Sequence, residues 1–118
     1  MYQSTEAQFQ SLISFNTASF SGSYQLAGTL AAPARIMIMV NGSNVAVTVS
    51  TDGVTDHAYF GASNATPQQF NFGDNRGNAA STLVLPQGTP IYVKGSAGTG
   101  IFAVSYVAAV TPSTQVPL

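Results

Sequence analysis

Apolar residues recur along this chain in short runs that alternate with polar ones and are separated by clusters of Gly, Pro, Asn, Asp and Ser. A period of two puts successive side chains on opposite faces of an extended strand. Sustained over most of a chain with frequent turn signals, it predicts an all-β domain, here a single antiparallel β-sandwich, jelly-roll-like, of about eight strands. Residues 34–41 read Ala-Arg-Ile-Met-Ile-Met-Val-Asn, with Ile36, Ile38 and Val40 on one face and Met37 and Met39 on the other. Both faces of such a strand are expected to be covered. The turn Asn41-Gly42-Ser43-Asn44 leads into 45–50, where Val45, Val47 and Val49 alternate with Ala46 and Thr48, and the pair predicts a hairpin.

Weaker patterns surround that pair. Strands are expected at 13–20, 23–29, 56–60 with Tyr59 or Phe60 inward, 67–72 with Phe70 and Phe72 on one face, and 81–85. A further strand at 90–94 is expected to join the closing strand 101–110 through the glycine-rich loop 95–100. In that closing strand Phe102, Val104, Tyr106, Ala108 and Val110 make the better core face. The sandwich is thus assigned to 13–110. Residues 1–12 are an arm or a short helix, because Phe9, Leu12 and Ile13 fall three and four apart behind Ser4 or Thr5. Residues 111–118, with Pro112 and Pro117, make an extended tail.

Composition changes this picture in one respect. The 118 residues suit one domain with a real core, but only 6% are charged against a typical share of about 25%. Glu6, Arg35, Asp52, Asp56, Asp74, Arg76 and Lys94 serve the whole surface and leave a formal net charge of -1. Weakly charged, near-neutral surfaces associate, so a homo-oligomer or a subunit of a larger assembly is expected. Two Arg and one Lys form neither a phosphate-binding stripe nor a membrane-attracting patch, so neither nucleic acid nor membrane is expected as a partner. Neither a signal peptide nor a membrane-spanning run is apparent. The absence of cysteine removes disulfides, thiolate nucleophiles and sulfur metal ligands.

Candidate chemistry reduces to turns. His57 is the only histidine and adjoins Asp56, but neighbours on a strand point to opposite faces, which argues against their acting together. Asp52-Gly53-Val54-Thr55-Asp56 lacks the alternating oxygen ligands of a calcium loop and reads as a turn in which Asp bonds its own backbone. In Lys94-Gly95-Ser96-Ala97-Gly98-Thr99-Gly100 the lysine precedes the glycines and a strand follows, the reverse of a phosphate loop. No catalytic, cofactor-binding or metal residue is assigned, and the expectation is a non-enzyme without a cofactor.

The run Asp52-Gly53-Val54-Thr55-Asp56-His57, then Gly88-Thr89-Pro90-Ile91-Tyr92-Val93-Lys94-Gly95, then a closing strand through Tyr106-Val107, resembles small β-sandwich virion proteins of tailed bacteriophages over residues 34–109. The resemblance implies a structural protein located in the virion, present in many copies. Its partners would be itself and other virion proteins such as a major capsid protein. Capsid decoration is the first expectation, with Phe9, Leu12, Val116 and Leu118 on the terminal segments as partner contacts. The alternative is a neck, tail or fibre component that binds a glycan through loops carrying Asp52, Asp56, His57, Asn75 and Arg76.

Overall fold

A computed structural model describes residues 6–62, 66–72 and 84–110. Nine strands are present among them: β1 (Glu6–Phe9), β2 (Ile13–Asn16), β3 (Gln25–Thr29), β4 (Ala34–Asn41), β5 (Val47–Ser50), β6 (Ala58–Phe60), β7 (Gln68–Asn71), β8 (Pro90–Lys94) and β9 (Ile101–Val110). A single 3-10 turn, Thr17–Ser19, is capped by the Asn16 side chain, which accepts from the Ala18 N–H. Two antiparallel sheets pack against one another as a β-sandwich. One has the order β1-β9-β4-β7, with β2 also paired to β9, and the other the order β3-β8-β5-β6.

The core forms where the two inner faces meet. From the five-stranded sheet come Ala34, Met37, Met39, Phe102, Val104, Tyr106 and Ala108, and from the four-stranded sheet Val47, Val49, Phe60, Ile91 and Val93. Phe60 and Phe102 meet edge to face across the gap, with centroids 5.3 Å apart, a favoured aromatic geometry. The hydroxyl of buried Tyr106 accepts from the Ala31 N–H at 2.7 Å, so its polar end is satisfied. The inward set predicted for β9 is the observed one through Ala108.

Several expectations are corrected. Residues 6–9 form β1, in register with 107–110, rather than a helix: edge pairing to β9 satisfies backbone groups that a single isolated helical turn could not. The strand expected over 13–20 ends at Asn16; of the one expected at 81–85, residues 81–83 lie outside the described residues, and Leu85 forms a lone bridge to Ala34. Of the two alternatives for β6, Tyr59 or Phe60, Phe60 is the inward one. On β4 the methionine face is the buried one, while Ile36, Ile38 and Val40 point away from the core.

The two expected hairpins at 41–44 and 95–100 are crossovers between sheets. β4 and β9 belong to one sheet, β5 and β8 to the other, and β5–β6 is the only pair of consecutive strands joined as a hairpin among the described residues. The cause is tertiary. Asn41, fully buried, donates through Nδ2 to Val45 O at 2.8 Å and Gly61 O at 3.1 Å, while its Oδ1 accepts from the Ser43 N–H and hydroxyl. The loops then bond each other: Asn44 N–H donates to Thr99 O at 3.1 Å, and Thr99 N–H donates to Asn44 Oδ1 at 2.9 Å. Thr17 closes the same end by donating from N–H and hydroxyl to Gly100 O. Gly100 has φ +124°, and a Cβ there would stand 2.6 Å from Gly42 O and Ser43 Cα, so glycine is needed for both backbone angle and space.

Candidate functional site

Alternation that sends Val47, Val49, Ile91 and Val93 inward sends Thr48, Tyr92 and Lys94 outward. Register places Thr48 opposite both Lys94 and Tyr59. The Lys94 Nζ in turn lies 4.6 Å from the centroid of Tyr24, so Tyr24, Lys94, Thr48 and Tyr59 form one row across the four-stranded sheet. Tyr59 is 70% exposed. Leu26 and Tyr92 are opposite each other in the next row. An open depression of about 420 Å³ adjoins the first row, lined by Gly22, Val45, Ala46, Thr48, Lys94 and Ser96 among others.

Asp56 ties this row to the β5–β6 loop. The Tyr24 hydroxyl donates to Asp56 Oδ1, and Lys94 Nζ stands 3.3 Å from the same oxygen. The Tyr24 hydrogen bond first, and Lys94 second, hold the Asp56 carboxyl below its ordinary pKa. Desolvation, aided by the hydrogen bond to Asp56, raises the Tyr24 phenol to about 12. Asp52 is spent on its turn: Oδ1 accepts from the N–H groups of Val54 and Thr55 at 2.8 and 2.7 Å and from the Ser50 hydroxyl at 2.7 Å. Those bonds, the Thr55 N–H foremost, hold it well below the usual carboxylate range. His57 faces elsewhere, its Nδ1 accepting from the Thr51 N–H at 3.0 Å. Asp56 and His57 therefore keep separate partners, as adjacent positions do. Among the described residues no three His, Cys, Asp or Glu side chains gather as metal ligands.

The opposite outer surface has different chemistry. On the five-stranded sheet the outward rows follow from register: Phe9, Val107, Ile36 and Asn71, then Ser105, Ile38 and Gln69, then Ser14, Ala103 and Val40. None of these positions is charged. Arg35 lies at the bulge between Ala34 and Ile36, beside Ile36 at the end of the face. Phe9 is 81% exposed and Leu12, in the short link between β1 and β2, 62%. Among the described residues no element covers Ile36, Ile38 and Val40, so the expectation that both faces of β4 are covered is not met there.

Of the residues singled out from sequence, Phe9 and Leu12 thus lie on and beside the apolar face, and Asp52, Asp56 and His57 in the β5–β6 loop on the polar side. Val116, Leu118, Asn75 and Arg76 lie outside the described residues. Sequence reasoning missed Tyr24 and Lys94 as partners of Asp56, for which no local signal exists. It also missed the outward apolar rows, for which β4 held a signal: apolar residues in both alternation registers.

The described chain is thus an antiparallel β-sandwich with one polar, tyrosine-bearing outer face and one apolar outer face. No family model, curated protein or solved structure matches it.

Proposed function

We propose that this chain is a non-catalytic subunit of a bacteriophage virion, a capsid decoration protein that acts by docking the apolar face of its five-stranded sheet in a multi-copy assembly. The observation that carries the reading is that face itself: Ile36, Ile38, Val40, Ala103, Val107 and Phe9 turn outward with no charge among them. The β4 and β9 residues are partly exposed and run on to the exposed Phe9; contiguous apolar surface in water favours contact with a partner, and a chain with seven charges has little repulsion to oppose it.

Strand order adds support by analogy. The orders β2-β9-β4-β7 and β3-β8-β5-β6 are compatible with an eight-stranded jelly roll to which β1 is added beside β9. Jelly rolls serve in viral capsids and in lectins, and fold alone does not choose between them. The row Tyr24, Lys94, Thr48 and Tyr59 beside its open depression favours a second reading, a neck, tail or fibre module that binds a glycan.

One pair of variants separates the two. Under the decoration reading Val107→Lys, on the apolar face, reduces incorporation into particles at least tenfold while Tyr59→Ser incorporates normally. Glycan-array binding by the wild-type chain, lost in Tyr59→Ser and kept in Val107→Lys, would replace decoration with the module.

A further inference from the structure

We propose that Asn41-Gly42 is a deamidation site that the folded sandwich keeps shut, so that opening of the crossover end converts the chain irreversibly into a form that cannot rebuild its core. It is the only Asn-Gly pair in the sequence, and the proposal stands independently of the assembly reading. In such a pair the glycine nitrogen attacks the side-chain carbonyl carbon with little steric opposition, because glycine has no Cβ and its backbone turns freely. The Gly42 N–H proton and the Asn41 side-chain NH2 group leave together as ammonia, and a succinimide ring closes. Water then opens the ring. Cleavage at the side-chain carbonyl gives aspartate, whereas cleavage at the main-chain carbonyl gives isoaspartate, with the chain now running through the side chain. No other reactant is needed.

The folded chain withholds the nucleophile rather than the electrophile. Asn41 Oδ1 accepts from the Ser43 N–H at 3.1 Å and from its hydroxyl at 2.6 Å, and donors placed there polarise the carbonyl carbon toward attack. Gly42 is exposed, so burial of the glycine is not the protection. Geometry is. Asn41 is the last residue of β4 and pairs with Phe102, and extended backbone, with ψ about +135°, turns the following nitrogen away from the residue's own side-chain carbonyl. The Gly42 N–H is held besides, donating to Ile101 O at 2.9 Å, and Asn41 Nδ2 is fixed by Val45 O at 2.8 Å and Gly61 O at 3.1 Å. Ring closure therefore requires the strand end and the Asn41 cluster to open together. The product cannot close them again. Aspartate puts an oxygen where Nδ2 stood, facing two carbonyl oxygens at a position that is 0% exposed, and a buried charge without a partner is strongly disfavoured. Isoaspartate adds a methylene to the main chain where Asn41 pairs with Phe102. Asn44, in the same loop, provides an internal comparison: it is exposed but precedes Val45, whose β-branched side chain crowds the same attack.

Peptide mapping by high-resolution mass spectrometry tests this on the full chain, aged at mildly alkaline pH in buffer and in denaturant. The Asn41 amide is expected to be lost about 100-fold or more slowly in the folded chain than in the unfolded one, since a reaction that needs an open state is slowed by the small fraction of time spent open. At intermediate denaturant the rate follows the fraction unfolded. In the unfolded chain Asn41 reacts well ahead of Asn44, and Gly42→Ala brings its rate down toward that of Asn44. Chains that have reacted fail to regain the native circular dichroism spectrum on return to buffer. Asn41→Asp, made directly, stays unfolded or unfolds at a lower denaturant midpoint than the wild-type chain. Equal rates in buffer and in denaturant overturn the protection, and an unfolded chain in which Asn41 reacts no faster than Asn44 overturns the site. An Asn41→Asp chain with the wild-type midpoint overturns the irreversibility.

Discussion

On the four-stranded sheet the outward positions carry Tyr24, Thr48, Tyr59, Tyr92 and Lys94, whereas on the five-stranded sheet they carry Ile36, Ile38, Val40, Ala103 and Val107. Both faces are made by the same alternation over one shared core. They differ because β5 and β8 are apolar in one register only, while β4 and most of β9 are apolar or small in both. Strands of the second kind are typical of sheets covered on both sides. Here the described residues cover one side, and the other side has the composition of a buried one. The polar face, by contrast, is self-sufficient: Asp56, Lys94 and Tyr24 satisfy one another. The polar face also leaves apolar surface in water, at Leu26 and Tyr59, but as single residues rather than as rows of apolar side chains.

The comparison breaks most completely at the end of the sandwich that both sheets share. Gly100→Ala forces a Cβ against the backbone of Gly42 and Ser43 at a positive φ, so both crossovers must shift. A loss of about 4 kcal/mol is expected from strain and overpacking together, read as a lower denaturant midpoint. A loss under about 1 kcal/mol would mean that the loops do not interlock as described.

A pair of truncations on one strand sharpens it next. Met37 is 1% exposed and Ile38 faces outward, so Met37→Ala is expected to cost about 3 kcal/mol and Ile38→Ala under about 1 kcal/mol when both are measured in the monomer. Equal costs would place Ile38 in a core and remove the apolar face.

The smallest effect is confined to the polar face. A tyrosinate absorbance titration should show the Tyr24 phenol ionising late, at about 12, and Asp56→Asn should return it toward the ordinary value near 10. Because the folded pKa is raised, this linkage stabilises the fold fully below pH about 10 and is lost as pH rises through the folded value. Asp52 and Asp56 have the opposite sign. Their folded pKa values are lowered, so their stabilisation is present above the ordinary carboxylate value near 4 and fades as pH falls through the folded values. A Tyr24 phenol that ionises near 10 in the wild-type chain would remove the Tyr24–Asp56 link.

What the sequence determined alone was everything set by near neighbours. The spans of β4, β8 and β9, the inward side of β9, and the Asp52 turn could be read because alternation and turn chemistry act over a few residues. What only the tertiary structure decided was which sheet each strand joins, and hence which way its second face looks. The loops at 41–44 and 95–100 have hairpin composition, yet the buried amide of Asn41 and the bonds among Thr17, Asn44, Thr99 and Gly100 carry the chain across to the other sheet. The Thr17–Gly100 and Asn44–Thr99 bonds join residues 83 and 55 apart along the chain, and Tyr24 and Asp56 lie 32 apart. Alternation in β4 separated isoleucines from methionines but could not say which set is covered, since that depends on what packs against the strand. The methionines meet the other sheet of the same chain, and the isoleucines are left facing outward.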